Sequence, residues 1–343
     1  MGVRPARWLR LLLSLLPLLS LLIMARPAWS WDPPGHELVG AVADRLLTPD
    51  ARRHVEQLLG YNLETSSKWA DCVRSVERRP DGSFVYDATT RYQHWCEAFM
   101  APAEVARMED YVRRNWSNCP GPGAGHGCHE TYHFTDIDVQ RGAYGKSFAG
   151  ASAHDVVSAI TAAIDVLEGR AAPPPFSIRD RKEALLMLAH FIGDLHQPLH
   201  AGAIYLDAEG RPVSPDRPGL DGGDIRTKGG SAIRIGDKNL HAMWDAVPDG
   251  WSLATQPELL TLAREVPKTP GPLASWPEQW ASESVRQAAG AFAGVSIGPR
   301  HDGVWPAKLA DPAAYEASAE RIKSRQIARA GARLAAVLNT LWP

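Results

Sequence analysis

The sequence between His190 and His200 joins an apolar helix to a set of polar side chains. The run that leads into it from Ser177 predicts a helix, because its apolar residues recur at helical spacing: Ala184, Leu185, Leu188 and Phe191. On that helix His190 and Asp194 stand four residues apart and therefore project from one face. Pro198 disfavours the α region for the residue before it, so the helix should bend or end there and let His200 turn back toward the same face. A fold with a buried helix that ends at a polar site is therefore expected.

These three side chains have the types and the spacing of metal ligands. Any one histidine in such a helix, taken alone, is more often a buried residue bonded to backbone or water. Three nitrogen or oxygen ligands within eleven residues favour zinc over that alternative. A second pair with the same spacing, His241 and Asp245, follows Asn239 at a predicted helix start. Two such pairs in one chain are much less expected by chance than one.

Residues 1–30 have the organisation of a secretory signal peptide. Three arginines precede a leucine-rich core at residues 11–24, and Ala28-Trp29-Ser30 forms a small-x-small cleavage site. The core is interrupted by Pro17 and falls short of the about 20 apolar residues that a membrane span needs. We therefore predict a secreted or periplasmic domain of residues 31–343, without stable membrane association after cleavage.

The mature chain is acidic and large enough for a substantial core. Its 343-residue precursor is 45% apolar, which excludes a disordered or collagen-like protein. Removal of the signal takes away four arginines and no acidic residue, which changes the formal net charge from −2 to −6. A protein with this net negative charge does not by itself attract nucleic acid, whose phosphates are also negative. Affinity for phosphate must then come from bound cations or from local basic clusters.

Export also predicts the state of the four cysteines, because an even count in an oxidising compartment favours disulfides over a thiolate metal site. Three pairings are possible. A bond between Cys119 and Cys128 would close a loop rich in proline and glycine, and would leave Cys72 with Cys96. The tripeptide that begins at Asn115 matches an acceptor for N-glycosylation.

Cleavage after Ser30 would make Trp31 the first residue of the mature chain. A free α-amino group has a pKa near 8, so a cation can displace its proton, and the amine forms a chelate with its own carbonyl oxygen. His36 opens the next apolar run and would be the partner of this chelate. Trp31 and His36 are therefore candidate metal ligands.

Two further motifs carry candidate site residues. Asp71 and Arg74 share a face of a predicted helix, where they form either an ordinary surface ion pair or a metal ligand and a phosphate contact, since a guanidinium fork matches phosphate oxygens. The aromatic segment at residues 132–136 predicts an extended strand. His133 could bind metal there, while Phe134 offers a flat surface for a base and Asp136 accepts hydrogen bonds from the base edge. The alternative for this segment is a short core strand.

The rest of the periodic pattern predicts a mainly helical protein. Helices are expected near residues 36–46, 49–60, 103–116, 154–169, 257–266, 277–293 and 313–341. Residues 201–238 are rich in Gly, Pro and Asp, and predict a long loop or hairpin. The other histidines considered are interpreted as surface, loop or structural residues: His54, His94, His126 and His129.

In this order, the motifs resemble those of the secreted zinc-dependent S1/P1 nucleases, which are single-strand-specific endonucleases and 3′-nucleotidases. The shared features are Trp31 with a histidine five residues on, Trp-Ala-Asp-x-x-Arg at 69–74, His-Phe-x-Asp at 133–136, the 190–200 segment and Asn-Leu-His-x-x-Trp-Asp at 239–245. The resemblance covers nearly all of the mature chain. It implies an all-α fold, mainly helical with minimal β structure, in a single domain of the phospholipase C/P1 nuclease type.

The resemblance also implies three zinc ions per chain. One would be held by four side chains: Asp71, His133, His190 and Asp194. The second ion of this close pair would be held by Trp31, through its amine and carbonyl, and by His36, with Asp194 bridging. The third would be held by His200, His241 and Asp245. Arg74 would contact phosphate, and Phe134 and Asp136 would stack on and read a base.

Two positions depart from the family pattern. Position 32 is Asp where Gly is usual, and the usual Gly-Gly-Asn before the last ligand pair is Gly222-Gly223-Asp224. The second change puts a carboxylate where an amide is expected, so we expect it to alter substrate preference or pH optimum.

The implied reaction is the hydrolysis of single-stranded DNA and RNA to products with a 5′-phosphate, together with 3′-nucleotidase activity, by a monomer. A hydroxide that bridges the close zinc pair would attack phosphorus, and Asp71 could orient it. The third zinc and Arg74 would neutralise charge on the phosphoryl and leaving oxygens.

Two other functions share part of this ligand pattern. A zinc-dependent phospholipase C has a similar ligand pattern, but its last carboxylate is usually Glu and its first Trp-to-His spacing is longer. Asp245 and the five-residue step from Trp31 to His36 favour the nuclease. A secreted zinc-stabilised binding module without turnover is disfavoured because the ligand set is complete.

Overall fold

The computed structural model of this chain describes residues 31–90, 92–119, 127–216 and 225–343. The predicted signal peptide at residues 1–30 lies outside the described residues, as do His126 and the segment Gly222-Gly223-Asp224. Within the described ranges the α-helices are α1 (Pro33–Leu46), α2 (Pro49–Leu59), α3 (Leu63–Ser66), α4 (Trp69–Cys72), α5 (Pro102–Arg114), α6 (Val156–Leu167), α7 (Arg181–His196), α8 (Pro198–Ala201), α9 (Leu240–Asp245), α10 (Glu258–Arg264), α11 (Trp276–Phe292) and α12 (Pro312–Leu341). The strands are β1 (Val76–Arg78), β2 (Phe84–Tyr86), β3 (Ile137–Asp138), β4 (Gly202–Ala203), β5 (Ile233–Ile235), β6 (Lys238–Asn239), β7 (Val295–Ile297) and β8 (Trp305–Leu309).

Helix α7, which carries His190 and Asp194, lies in the core of the protein. Residues 183–196 are all buried, and the helix packs against α1, α6, α11 and α12. Asp180 caps its N-terminus by accepting a hydrogen bond from Glu183 N at 2.8 Å. The helix ends at His196 because Gln197 adopts an extended backbone, with ψ 116°, before Pro198. The predicted end of the helix is confirmed, and the chain turns into the short helix α8.

The other long helices also begin and end where sequence signals place them. Thr48 accepts a hydrogen bond from Ala51 N at 3.1 Å at the start of α2, and Gly60 ends that helix with φ +77°. Helices α5, α6, α10, α11 and α12 match the predicted segments within a few residues. The protein is 54% helical with only short strands among its described residues, which confirms the mainly α-helical fold.

The strands are short and form three small sheets. Strands β1 and β2 pair antiparallel, β3 and β4 pair parallel, and the third sheet has the order β6-β5-β8-β7. Parallel pairing of Ile233 with Trp305 lies at the centre of this third sheet. Both residues belong to a second apolar cluster with Leu240 and Trp244 of α9. This sheet therefore supports the helix that carries His241 and Asp245.

The predicted extended strand at residues 132–136 is wrong. Residues Cys128–His133 form a 3-10 helix, and the strand begins only at Ile137. Both Tyr132 and His133 are buried in this 3-10 helix. The 3-10 geometry allows this, with Tyr132 OH donating to Asn115 Oδ1 at 3.1 Å.

The structure also tests the predicted disulfides and the predicted glycosylation acceptor at Asn115. The structure pairs Cys72 with Cys96 and Cys119 with Cys128, one of the three alternatives. Asn115 is fully buried and donates to the carbonyl oxygen of Ser177 at 3.0 Å, so the folded protein offers no exposed amide for glycosylation there. Across the described ranges, each helix is too short or too polar to cross a membrane.

Candidate metal centre

Helix α7 directs two side chains into a buried polar centre. Both are fully buried, and 3.1 Å separates His190 Nε2 from Asp194 Oδ2. The 3-10 helix brings His133, whose Nδ1 lies 2.9 Å from the same oxygen. Helix α1 brings His36, whose Nε2 lies 3.4 Å from the other oxygen, Oδ1. The two oxygens of Asp194 therefore face different histidines, which is the arrangement a bridging carboxylate needs.

Two overlapping groups of ligand atoms form around this carboxylate. One contains His36, His190 and Asp194, and the other contains Asp71, His133 and His190, with the atoms of each group within 4.8 Å of one another. Helix α4 places Asp71 Oδ1 4.0 Å from His190 Nε2. The rings of His36 and His190 stack with 3.8 Å between their centroids. The shared residues make these groups suited to a close pair of cations.

A third group adjoins the first two. It contains His200 from α8 and His241 and Asp245 from α9, again with ligand atoms within 4.8 Å. The Nε2 atoms of His200 and His241 are 3.1 Å apart, and Asp245 oxygens lie 3.6 and 3.5 Å from them. His200 Nδ1 is 3.7 Å from Asp194 Oδ1, so the third group is continuous with the others. The end of α7 at Pro198 is what turns His200 to this position.

Backbone carbonyl groups fix the orientation of three of these imidazoles. The Nδ1 atoms lie 2.7 to 2.8 Å from carbonyl oxygens, His190 from Ser67, His200 from His133 and His241 from Gly229. A carbonyl oxygen only accepts, so each Nδ1 carries the hydrogen and each Nε2 presents a lone pair to its group. Metal-bound histidines are generally held in this way.

The hydrogen bonding of these side chains also fits bound metal ions. Two buried carboxylate oxygens, Asp194 Oδ1 and Asp245 Oδ2, lack a hydrogen-bond donor among the described residues. The facing lone pairs of His200 and His241 likewise need a cation or a proton between them. Imidazole nitrogen and carboxylate oxygen donors without cysteine form a ligand set that zinc and other first-row divalent metals accept.

Burial and neighbouring charges shift the pKa values of the candidate ligands in different directions. Burial lowers the pKa of His133 to about 4, against the opposing effect of Asp194. Burial also lowers the pKa of His200, but hydrogen bonding to Asp245 and the charge of Asp194 outweigh it and raise this pKa to about 9. The pKa of Asp194 lies well below its usual value, because His190, His133 and His36 together outweigh its burial. The Asp194 carboxylate is therefore kept ionised and available to a cation, whereas burial raises the pKa of Asp245.

Trp31, the first residue of the predicted mature chain, lies against the same centre. Trp31 is fully buried, and its indole Nε1 donates to the carbonyl oxygen of Gly193 at 2.9 Å. The next amide, Asp32 N, donates to Asp245 O at 3.0 Å. Gly193 is needed here because a Cβ atom would lie 2.8 Å from His36 Nδ1. The backbone of residue 31 is thus held between the elements that carry Asp194 and Asp245.

The predicted substrate residues surround the buried groups. Arg74 Nη1 lies 3.8 Å from Asp71 Oδ1, and both side chains are largely buried, so this is not an ordinary surface pair. Phe134 directly follows His133 but is 39% exposed, an unusual value for a large apolar side chain. Burial raises the pKa of Asp136 to about 6, and the charge of Arg226 opposes this shift.

One residue that contacts this site, Gln197, is not predicted from the sequence, and one histidine near the site, His196, does not contribute to it. The amide of Gln197 donates to Asp245 Oδ1, and its oxygen accepts from Leu199 N at 2.6 Å. Its place directly before Pro198 is the only sequence signal that could have found it. His196 is buried on α7 but points away, with Nε2 2.9 Å from Arg333 Nη1. His129 is also buried, as a structural residue, whereas His54 is exposed.

Comparison with known proteins agrees with the geometry. The model of the family described as S1/P1 Nuclease matches residues 31–343. Among curated proteins the chain is similar to Endonuclease 2 of Arabidopsis thaliana, with 24% identity over 348 residues that cover 94% of each protein. The family match spans the three ligand groups and the whole helical fold around them. The chain therefore belongs to the S1/P1 nuclease family.

Proposed function

We propose that this protein is a secreted or periplasmic zinc-dependent hydrolase that cleaves single-stranded DNA and RNA and removes phosphate from 3′-nucleotides. Family membership supports nuclease activity in general. The observation that carries the finer proposal is the convergence of eight buried His and Asp side chains into three adjoining groups: His36, Asp71, His133, His190, Asp194, His200, His241 and Asp245.

Three zinc ions would be held by these groups. Asp71, His133, His190 and Asp194 would hold the first, and His200, His241 and Asp245 the third. The second would take His36, Asp194 and the amine and carbonyl of Trp31. When bound, such ions supply Lewis acidity, which lowers the pKa of a coordinated water toward about 7 and polarises phosphoryl oxygens.

The chain's own residues would then position the phosphate and its nucleophile. Arg74 is held near Asp71 in a largely buried setting, where a guanidinium can donate two hydrogen bonds to phosphoryl oxygens. Its fixed charge would stabilise the negative charge that develops on these oxygens during in-line displacement. Asp71 would orient the attacking water by accepting its hydrogen. Cleavage of the bond between phosphorus and the 3′-oxygen would leave a 5′-phosphate on one product, and the leaving 3′-oxygen would take up a proton to give a free 3′-hydroxyl on the other.

Preference for single strands would come from Phe134 and Asp136. The exposed ring of Phe134 can stack on a base, and a base can reach it only after leaving its own stack. Unstacking costs a few kcal/mol in a duplex and much less in a single strand. Asp136 would accept hydrogen bonds from the base edge. Stacking is tolerant of sequence, so cleavage should show little discrimination among bases.

Export is part of the proposal, because removal of residues 1–30 would free the Trp31 amine. Both disulfides are compatible with an oxidising compartment. The chain would act as a monomer, without stable attachment to a membrane.

A substrate panel on the mature protein tests the proposal. Denatured DNA, RNA, 3′-AMP and phosphatidylcholine would be offered with and without a chelator, and zinc would be counted by elemental analysis. We expect hydrolysis of the three nucleotide substrates, loss of activity with chelator and three zinc ions per chain. Hydrolysis of the lipid alone would favour a phospholipase C, and zinc without turnover would favour a binding module.

Helix α7 offers a matched pair of variants for the same panel. His190→Asn removes an imidazole that faces the ligand groups, whereas His196→Asn removes a buried imidazole that faces Arg333. We expect the first to lose zinc and turnover and the second to keep both at a temperature where it is folded. Equal effects of the two variants would count against the site.

A further inference from the structure

A short segment at residues 225–230 connects two parts of the candidate site. Gly229 O accepts from His241 Nδ1 at 2.8 Å, and Gly229 N donates to the carboxylate of Asp136. Thr227 is buried, and its hydroxyl donates to a backbone carbonyl oxygen at 2.6 Å. A Cβ at position 229 would lie 2.3 Å from a neighbouring carbonyl oxygen, so the segment passes very close to α8. Its backbone is therefore fixed between a candidate metal ligand and the candidate base-reading residue.

Two cations project from this fixed backbone toward solvent. Arg226 and Lys228 are exposed, whereas Thr227 between them is buried. Lys228 has φ +52°, a left-handed conformation that is uncommon for a residue with a side chain. Backbone strain of this kind is concentrated at functional sites. Both charges act on Asp136, where they oppose the effect of burial on its pKa, so both lie near it.

Neither cation forms an ion pair with a described carboxylate, although the charges of both act on Asp136. Among the residues that the structure describes, no Asp or Glu oxygen forms an ion pair with Arg226 or Lys228, whereas Arg141 and Arg211 pair with Asp216 and Asp207. Two solvated positive charges beside the proposed base contact therefore suit an anion that extends out of the site. A polynucleotide has such anions on either side of the phosphate being cleaved, and a 3′-mononucleotide does not.

We propose that Arg226 and Lys228 bind a phosphate of a single-stranded polynucleotide next to the one that is hydrolysed. The segment 225–230 then determines specificity, because it favours chains over mononucleotides. This inference rests on the proposed nuclease function.

The test compares an oligonucleotide with 3′-AMP on the zinc-loaded mature protein. The variant Arg226→Gln/Lys228→Asn removes both charges, and Asn is chosen because it tolerates a left-handed φ. We expect the ratio of kcat/KM for a single-stranded oligonucleotide to that for 3′-AMP to fall about tenfold, or about 1.4 kcal/mol. The control Lys238→Gln removes an exposed charge from the nearby strand β6 and should leave this ratio unchanged.

Binding gives a second measurement that does not depend on turnover. The binding constant K of a labelled phosphorothioate single strand would be measured by fluorescence anisotropy at several salt concentrations, for the wild-type protein and for the double variant. Loss of two phosphate contacts should make the slope of log K against log salt shallower by about 1.4, since each contact on a single strand contributes about 0.7.

The outcomes distinguish this inference from the function on which it rests. An unchanged ratio and salt slope in the double variant would overturn the role of the two cations, as would an equal loss on both substrates. Wild-type protein that hydrolyses neither substrate would instead overturn the proposed function.

Discussion

Replacement of Gln197 by Ala should weaken the third metal group specifically. The side chain is fully buried at the junction of α7 and α8. Its amide donates to Asp245 Oδ1, and its oxygen accepts from Leu199 N at 2.6 Å. It therefore links the carboxylate on α9 to the turn that presents His200. Truncation would remove both links and leave the carboxylate more free to rotate.

The size of the effect follows from these two hydrogen bonds. A buried polar group that loses its partner costs about 1–3 kcal/mol, so the two together should lower the free energy of unfolding by about 2–6 kcal/mol. Loss of a residue that supports a metal ligand weakens metal affinity by about 10–100-fold. We expect zinc content to fall from three to two per chain under a chelator concentration that leaves wild-type protein fully loaded.

The matched control is Gln326→Ala. Gln326 is also a buried glutamine near the end of α7, but its amide donates to His196 O at 2.9 Å and does not contact Asp245. This variant should lower the unfolding temperature while keeping three zinc ions. Full zinc retention in Gln197→Ala, or equal zinc loss in both variants, would refute the positional role of Gln197.

Three further perturbations have defined outcomes. A mature form with one extra residue before Trp31 should fold but lose one zinc and most activity, because its α-amine is no longer available; unchanged turnover would contradict the predicted chelate. Gly193→Ala should also lose the zinc beside His36, because the new Cβ would lie 2.8 Å from His36 Nδ1. The variant should not show the gain in stability of about 1 kcal/mol that Ala usually brings over Gly in a helix. A more stable variant that keeps three zinc ions would argue against this contact. Glu183→Ala should lower the free energy of unfolding in urea by about 3–5 kcal/mol without changing zinc content. The reason is that buried Glu183 accepts two hydrogen bonds from Arg114, at 2.9 and 2.7 Å. A decrease of less than about 1 kcal/mol would be inconsistent with this pairing.

Local sequence pattern determined the helices and most of the candidate ligands. Helical periodicity and its end signals depend on residues within one or two turns, so α2, α7 and α12 could be predicted without knowledge of the fold. The four-residue spacing of His190 and Asp194 likewise sets a shared helical face wherever the helix lies. For the same reason, the bend at Pro198 was predictable from one residue.

Only the tertiary structure decided what those side chains meet. The prediction of a strand at residues 132–136 failed because the 3-10 helix is fixed by contacts with distant parts of the chain, of Tyr132 with Asn115 and of His133 with Asp194. The carbonyl groups that orient the histidines, such as Ser67 O and Gly229 O, carry no side-chain signal at all. Backbone groups are the same in every residue, so their role is invisible until the chain folds.

The sequence therefore determined which residues can bind metal, and folding decided how they are shared. Asp194 presents one oxygen to His36 and the other to His133 and His190, an arrangement that joins α1, the 3-10 helix and α7. Two of these three contacts, those of Asp194 with His133 and with His36, join residues at least 61 positions apart in the sequence. No local pattern could specify such contacts. Long-range packing, rather than residue type, converts a set of candidate ligands into one continuous centre.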